Sequence, residues 1–218
     1  NEDYSGYVIA TPAATHFKIA KELINKKKHI LIEKPMTLNS SESQMLVSLA
    51  RENNVNIMVG HLLLFHPAIH KIKEMVDLNK LGKLQYIYSN RLNLGTVRTE
   101  ENVFWSLAPH DISILQYLTN SYPDEIESIG GAFLQKDVHD TTLTVLSYPD
   151  NVKCHIYVSW LHPFKEHRLV VIGSKGMLSF EDSSEHKDLI FYDKSYDLNG
   201  NVPEKIDRGM KIISYDKK

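Results

Sequence analysis

The stretch HILIEKP, residues 29–35, decides the fold of this chain. Its four leading residues contain no polar alternation beyond the first, which indicates a short strand buried on both faces. An earlier apolar strand, Tyr7–Ala10, likewise ends in a proline turn, Thr11-Pro12. In an open parallel sheet, ligands bind at the carboxyl ends of the strands. Both turns are therefore predicted to line one crevice, and Lys34 is the side chain with chemistry in it.

Residues up to about 82 alternate apolar strands with amphipathic helices. Helices are predicted at His16–Lys27, after the capping run that starts at Ser40, and at Phe65–Leu78 with Pro67 in its first turn. A third strand, Asn56–Gly60, follows the second helix. Strands that alternate with helices at this spacing favour βαβ units and a parallel sheet.

The pattern changes near Gly82, where we place a domain boundary between residues 1–82 and 83–218. The second part contains one predicted helix, Ala108–Leu118, and hairpin turns at Pro149–Asn151 and Gly173–Gly176. Its predicted strands are Leu84–Asn93, Glu125–Leu134, Thr141–Tyr148, Lys153–Trp160, Arg168–Gly173 and Met177–Glu181. The predicted fold class is thus α/β plus α+β: a partial, parallel, doubly wound Rossmann domain followed by a mostly antiparallel open-sheet domain.

The two turns together carry a family resemblance. ATP-x-x-x-H at residues 10–16, followed by EKP at residues 33–35, resembles the Gfo/Idh/MocA oxidoreductases, which use a nicotinamide cofactor on sugars and cyclitols. The resemblance implies NAD or NADP as cofactor, with Lys34 near the nicotinamide and the reacting carbon. The other implied cofactor-binding residues are Thr11 and Pro12 against the nucleotide, His16 capping the next helix or touching the cofactor, Glu33 holding the cofactor or the lysine, and Pro35 fixing the turn. Taken by itself, a lysine at a strand end is usually solvated.

The chain contains no G-x-G-x-x-G loop. Gly130-Gly131 and the Gly173–Gly176 turn do not follow a buried strand and open a helix, as that motif requires. The resemblance implies that such a loop precedes the first proline turn. We therefore expect a fragment that lacks the first half of its nucleotide-binding domain, is also cut after Lys218, and is inactive in isolation. The residue that separates NAD from NADP is expected in the missing part.

His110 is the candidate base for oxidation of an alcohol. Histidine has the side-chain pKa nearest neutrality, which suits it to take a hydroxyl proton as hydride leaves the same carbon, although a lone histidine on an amphipathic helix is more often structural. The resemblance implies a D-x-x-x-H pattern ending at His110. Here the acidic position is Ser106, so any carboxylate that pairs with the base must come from elsewhere, for example Asp111.

The surrounding sequence resembles a narrower branch of the family. W-S-x-A-P-H-D-I-S at residues 105–113, with R-T-E-E-N at 98–102, is similar to dehydrogenases that oxidise the 3-hydroxyl of a UDP-N-acetylglucosamine-type nucleotide sugar. Arginine binds phosphate through paired hydrogen bonds, which suits a diphosphate-linked sugar. The candidate substrate-binding residues are Arg91, Arg98, Asn102, Trp105, Ser106 and Asp111. For Arg91, Arg98 and Asn102, solvated loop residues are an equally good interpretation, and Trp105 could stack on a sugar or fill the core. His61 is a further candidate for the crevice, whereas Trp160 is predicted to lie in the core.

Composition narrows the remaining possibilities. The 218 residues are 42% hydrophobic with a net charge of −2, which gives no support for nucleic-acid binding. A lone cysteine, Cys154, fits a reducing cytoplasm, and no apolar run approaches the roughly 18 residues of a membrane span. His66 and His70 have zinc-like spacing, but the H-E-x-x-H glutamate is absent, so no metal site is predicted.

Other functions remain open. The resemblance implies a homo-oligomer, a dimer or tetramer formed through an open sheet face rich in Tyr86, Tyr88, Tyr148 and Tyr157. A non-catalytic relative that binds cofactor or sugar, as a sensor or assembly subunit, is one alternative to the enzyme. A dehydrogenase of a free sugar or inositol is another.

Overall fold

The computed structural model describes residues 4–99, 101–200 and 202–216. Glu100, in the predicted R-T-E-E-N segment, and both chain ends lie outside the described residues. The chain divides into two compact units, residues 1–62 and 63–218.

The first unit is a three-stranded parallel sheet with two helices. Strands β1 (Gly6–Ile9), β2 (His29–Ile32) and β3 (Ile57–Val59) lie in that order, and Ile9, Ile32 and Val59 stand in register at their carboxyl ends. Helices α1 (Ala13–Asn25) and α2 (Ser40–Asn53) connect them. The core consists of Ile9, Ala20, Ile24, Ile30, Ile32, Leu46 and Ala50. The predicted parallel sheet is confirmed, and β2 has the predicted bounds.

The second unit is built on an eight-stranded sheet ordered β11-β10-β9-β8-β4-β7-β6-β5. Among the described strands of this large sheet, only β4 and β7 pair in parallel. The strands are β4 (Leu84–Leu92), β5 (Glu125–Gly131), β6 (Thr141–Tyr148), β7 (Val152–Ser159), β8 (Glu166–Gly173), β9 (Met177–Glu181), β10 (Leu189–Asp197) and β11 (Glu204–Ile213), with helices α3 (Pro67–Asp77) and α4 (Val103–Thr119). The predicted combination of α/β and mostly antiparallel α+β architecture is confirmed.

Two strands escaped the sequence analysis. β10 and β11 pair antiparallel at the edge of the large sheet. β11 is exposed along nearly its whole length, so its charged residues give no alternation between an apolar and a polar side. Charged, exposed edge strands are common because they discourage pairing with other chains. In the sequence, such a polar segment near the end of the chain cannot be told from a solvated tail.

Helix α4 begins five residues earlier than the predicted start at Ala108. Asn102 caps it, since its side-chain oxygen accepts a hydrogen bond from the backbone N–H of Trp105 at 3.1 Å. Pro109 lies inside the helix. Proline normally occupies the first turn, which is why the sequence placed the start beside Pro109.

The boundary between the compact units lies between residues 62 and 63, whereas the sequence pattern changes near Gly82. Helix α3, which lies between these two positions, explains the difference. Ala68, Ile69, Ile72 and Met75 of α3 lie in the same buried cluster as the large sheet. The sequence places α3 among the alternating strands and helices, but its apolar face packs in the second core. Trp160 is 3% exposed in that core, as predicted.

The open face of the large sheet carries three of the four predicted tyrosines. Tyr86 and Tyr88 are half-buried beside His155, whose ring stacks on Tyr88 with centroids 5.2 Å apart. Tyr148 was wrongly assigned to this face. It is 3% exposed in the core, because it shares the helix-facing side of β6 with Leu146. No helix among the described residues is both long and apolar enough to cross a membrane.

Candidate functional site

The turns that carry the predicted cofactor-binding residues meet at one edge of the first unit. The backbone N–H of Glu33 donates to Ile9 O at 2.9 Å, and that of Gly60 donates to Ile32 O at 2.8 Å. These bonds continue the parallel register one residue beyond each strand. The sheet therefore places the turns after β1, β2 and β3 side by side, as the sequence predicts for a ligand-binding edge.

The side chain of His16 contacts both of the first two turns. Its ring is 1% exposed; Nδ1 lies 2.9 Å from Pro35 O and Nε2 lies 2.8 Å from Thr11 O. The expected helix-capping role is wrong, because α1 begins at Ala13 with Pro12 as its N-cap. The buried ring instead fixes the spacing of the two turns that carry Thr11 and Lys34.

The carboxylate of Glu33 packs closely against Gly60. A Cβ built on Gly60 would lie 3.1 Å from Glu33 Oε2, tighter than ordinary contact. The same Oε2 accepts a weak bond from the backbone N–H of Lys34 at 3.3 Å, and the Lys34–Pro35 peptide bond is cis. Gly60 was missed as a site residue, although a glycine at the carboxyl end of a predicted strand was a usable signal.

His61 extends this edge after β3. Burial, followed by the positive charge of Lys34, lowers the pKa of His61 below its usual value. Its Nδ1 is buried and has no hydrogen-bond partner among the described residues. A neutral imidazole beside the Lys34 ammonium can accept or donate a hydrogen bond without adding charge.

In the second unit, helix α4 carries four of the predicted site residues. Trp105 is 42% exposed, Ser106 is buried, and His110 is half-buried one turn after Ser106. Asn102 also belongs to this segment, but the oxygen of its side chain is used by the helix cap. Arg98 lies in the preceding loop with an exposed side chain. The predicted positions therefore cluster around the first two turns of one helix.

Asp111 does not serve as the carboxylate partner expected for His110. Its side chain is fully buried and binds Arg91 through two hydrogen bonds, Nε to Oδ2 at 2.9 Å and Nη2 to Oδ1 at 3.0 Å. Ser89 Oγ donates a third at 2.7 Å. These hydrogen bonds tie α4 to β4, because Asp111 lies on the helix and Arg91 and Ser89 lie on the strand. Arg91 and Asp111, which were both predicted to bind the substrate, bind one another instead.

The contact with Asp111 also affects the pKa of Arg91. Burial by itself would lower the pKa of Arg91, but the charge and hydrogen bonds of Asp111 outweigh that effect and raise the pKa above its usual value. A charged pair that is buried with its hydrogen bonds satisfied resists separation, since removing one partner leaves the other unpaired.

His167 faces a small cavity beside this pair. The cavity, lined by Ser89, Arg91, Asp111, His167 and Asp182 among others, measures about 20 Å³, enough for roughly one water. Burial, then the charges of Arg91 and Lys165, lower the pKa of His167 from 6.5 to about 4. The folded protein thus holds this histidine neutral.

The His167 pKa predicts a pH effect on stability. Between pH 6.5 and about 4 the unfolded chain protonates this histidine and the folded chain does not, so stability falls as pH is lowered through that window. His167→Gln is expected to flatten this part of the profile, measured by chemical denaturation at several pH values. An unchanged slope would contradict the assignment.

The zinc-like pair of histidines has structural partners. His66 caps α3, its Nδ1 accepting from the backbone N–H of Ala68 at 3.1 Å. His70 Nε2 lies 2.6 Å from Leu64 O. In the part of the chain that the structure describes, no three metal-ligating side chains come together.

Comparison with known families decides what this arrangement belongs to. A model of the GFO/IDH/MocA C-terminal domain matches residues 69–179, just over half of the chain. The chain belongs to the Gfo/Idh/MocA family. A second model, of the oxidoreductase family with an NAD-binding Rossmann fold, matches residues 1–61. The Rossmann match coincides with the first compact unit, and the C-terminal-domain match lies within the second.

Individual relatives within the family are distant. The chain is 31% identical over 125 residues to a UDP-N-acetylglucosamine 3-dehydrogenase of Acidithiobacillus ferrooxidans, covering 57% of this chain and 39% of that protein. It is 27% identical over 186 residues to the scyllo-inositol 2-dehydrogenase (NAD(+)) of Bacillus subtilis, covering 78% and 53%. The chain thus spans about half the length, or less, of these relatives.

A solved structure shares the fold. The UDP-N-acetylglucosamine 3-dehydrogenase from Acidithiobacillus ferrooxidans superimposes with a TM-score of 0.83 over 99% of this chain and 66% of that one, at 22% identity. A putative oxidoreductase from Magnetospirillum magnetotacticum gives a TM-score of 0.81 at 27% identity, covering 98% and 67%.

Proposed function

We propose that the complete protein is an NAD(P)-dependent oxidoreductase that oxidises a sugar hydroxyl, with the 3-hydroxyl of a UDP-N-acetylhexosamine as the favoured substrate. The observation that carries the proposal is the edge of the first unit, where His16 joins the Glu33-Lys34-Pro35 turn to the Thr11-Pro12 turn and Gly60 leaves room for the Glu33 carboxylate. This edge belongs to a chain whose relatives include an enzyme named for that sugar.

The residues at this edge fit the nicotinamide half of a dinucleotide. Thr11 and Pro12 are exposed at the start of α1, where they can pack on a nucleotide, and the Glu33 carboxylate can accept hydrogen bonds from hydroxyl groups. A nicotinamide held by these residues would supply the acceptor for the hydride that leaves the sugar carbon. Lys34 carries a flexible ammonium that hydrogen-bonds the reacting oxygen and stabilises its developing negative charge.

His110 is the proposed base. It takes the proton of the sugar hydroxyl as hydride departs from the same carbon. A carboxylate would normally orient such a histidine and stabilise its charged form, but Ser106 stands at that position. Asp111 acts at one remove: bound to Arg91 and Ser89, it fixes the rotation of α4 and so the direction of the neighbouring His110.

The exposed candidates remain for substrate binding. The guanidinium of Arg98 suits a diphosphate, and the Trp105 ring suits a sugar or base face. Arg91, Asn102 and Asp111 contribute by holding the loop and helix that present them. We further propose association of like subunits through the open sheet face around Tyr86, Tyr88 and Tyr157.

The proposal is tested with the full-length gene product. Reduced-nicotinamide absorbance is followed with UDP-N-acetylglucosamine, free N-acetylglucosamine and myo-inositol, each with NAD⁺ and NADP⁺. Turnover confined to the nucleotide sugar supports the favoured substrate. Turnover only with inositol or the free sugar would keep the oxidoreductase and reject the nucleotide sugar; cofactor binding without turnover would favour a non-catalytic relative.

Gly60→Ala is expected to weaken cofactor binding by about tenfold. The new Cβ would push the Glu33 carboxylate away from its position, and a displaced hydrogen-bond partner of about 1.4 kcal/mol corresponds to that factor. Titration of cofactor fluorescence measures the change. Gly200→Ala is the matched control, because its Cβ would make only ordinary contact, 3.6 Å from Val202 O. Equal affinity in both variants would remove Glu33 from the cofactor site.

A further inference from the structure

Asp140 joins three parts of the second unit although it lies outside the predicted site. It is fully buried immediately before β6. Its Oδ2 accepts hydrogen bonds from the backbone N–H groups of Phe133 at 2.6 Å and Leu134 at 2.9 Å. The backbone N–H of Asp140 donates a hydrogen bond to Gly131 O, and its backbone carbonyl accepts one from the N–H of Trp160. One residue thereby fixes the loop of residues 132–139 to the ends of β5 and β7.

That loop in turn holds the segment before α4. Gln135 Nε2 donates to Arg98 O at 2.8 Å, and the N–H of Val103 donates to His139 O at 3.0 Å. The second bond satisfies one of the backbone donors that a helix leaves open in its first turn. The position of Arg98 and of the first turn of α4 therefore depends on residues 132–139.

Strand direction explains why these loops meet. β4 runs parallel to β7, and β7 is antiparallel to β6, which is antiparallel to β5. β4, β5 and β7 therefore all point the same way, so the loops that follow them lie at one end of the sheet. Asn93 N–H, just after β4, donates to Ser159 O of β7 at this end.

We propose that Asp140 is a positioning residue for the nucleotide sugar: through residues 132–139 it holds Arg98 and the first turn of α4 in the arrangement that binds the substrate. This inference rests on the proposed function. A buried carboxylate that accepts two backbone N–H groups forms charge-assisted hydrogen bonds, which are stronger than neutral ones. Without them, substrate binding must itself order the loop, and affinity falls by that amount.

Helix α4 is anchored at its first turn through Asp140 and residues 132–139, and further along by the contact of Asp111 with Arg91 and Ser89. Loss of one anchor is expected to affect the kinetics differently from loss of the other. His110 lies two turns beyond Val103, and the neighbouring Asp111 is bound separately to Arg91 and Ser89. Loss of the Asp140 anchor is therefore expected to raise KM for the nucleotide sugar while kcat changes little. That split marks the loss of an interaction made equally in the ground and transition states.

The test compares three variants of the full-length protein. Asp140→Ala is expected to raise KM for UDP-N-acetylglucosamine about tenfold with kcat within about threefold. Asp140→Asn is expected to restore KM to within about threefold, because among the described residues only Oδ2 is used and an amide oxygen can accept both N–H groups. Gln135→Ala, on a surface loop, is expected to raise KM at unchanged melting temperature; exposed Gln85 on β4 gives the matched alanine control.

Amide hydrogen exchange provides a readout that needs no turnover. Faster exchange at Val103 and Leu134 in Asp140→Ala, reversed in Asp140→Asn, would support the anchor. Unchanged exchange, or unchanged KM in both Asp140→Ala and Gln135→Ala, would overturn the positioning proposal. If the variants show these changes in exchange but the parent protein turns over no sugar, the proposed function is overturned and the anchoring role of Asp140 is not.

Discussion

Replacing His110 by alanine is expected to lower kcat for the nucleotide sugar by about 10²–10⁴-fold in the full-length protein, the usual contribution of a positioned base. The proton of the sugar hydroxyl would have to pass to water, so the loss should shrink as pH is raised and hydroxide becomes available. Steady-state kinetics between neutral and alkaline pH measures both effects. Cofactor affinity should not change, because the residues proposed to bind it lie in the first unit.

A matched substitution separates chemistry from loss of a histidine in general. His162→Ala, in the loop between β7 and β8, removes a ring that contacts only its own loop in the interactions described, Phe164 at 4.5 Å between centroids. We expect kcat near that of the parent. Full activity in His110→Ala would mean that another group takes the proton.

Asp111→Ala is expected to destabilise the second unit by about 3–5 kcal/mol, because it leaves the buried Arg91 cation without its partner. The free energy of unfolding from urea titration of the full-length protein measures the loss. Replacing both residues, Arg91→Met with Asp111→Leu, should recover much of it, since a hydrophobic pair of similar size often matches a buried ion pair. The exposed pair of Lys71 and Glu74, at 2.8 Å, is the control: Lys71→Ala should cost less than about 1 kcal/mol.

The double variant also tests the link between this pair and the base. If Asp111 directs His110 by fixing α4, the stable double variant should lose kcat while retaining its fold and its affinity for the cofactor. Destabilisation below about 1 kcal/mol in Asp111→Ala, or full activity in the double variant, would contradict the structural role assigned to the pair.

Local patterns predicted the first unit well. The uninterrupted apolar run of β2 and the proline turns after β1 and β2 identify a parallel sheet and the edge that carries the candidate ligand-binding residues, because backbone geometry puts the strand ends in register. The hairpins at Pro149–Asn151 and Gly173–Gly176 were predicted for a similar reason: their turn residues favour the backbone angles found, such as φ of 63° at Asn151.

Interactions between distant residues were beyond local patterns. The bond of Arg91 with Asp111 joins positions on different elements, and neither residue type announces a buried partner, so both were predicted to face the substrate. Asp140 gave no signal for the same reason: its role depends on backbone groups of a loop. Tyr148 was misplaced because alternation defines two faces of a strand but does not say which one the helices cover.

Transfer of deuterium from substrate to cofactor is a direct test of oxidation at carbon 3 of the sugar. The full-length protein is incubated with oxidised cofactor and UDP-N-acetylglucosamine deuterated at carbon 3, and the reduced cofactor is analysed by mass spectrometry. We expect one deuterium per reduced nicotinamide, with transfer strongly slowed in His110→Ala. Reduced cofactor without deuterium would contradict oxidation at that carbon, and no reduction in the presence of bound cofactor would contradict the proposed activity itself.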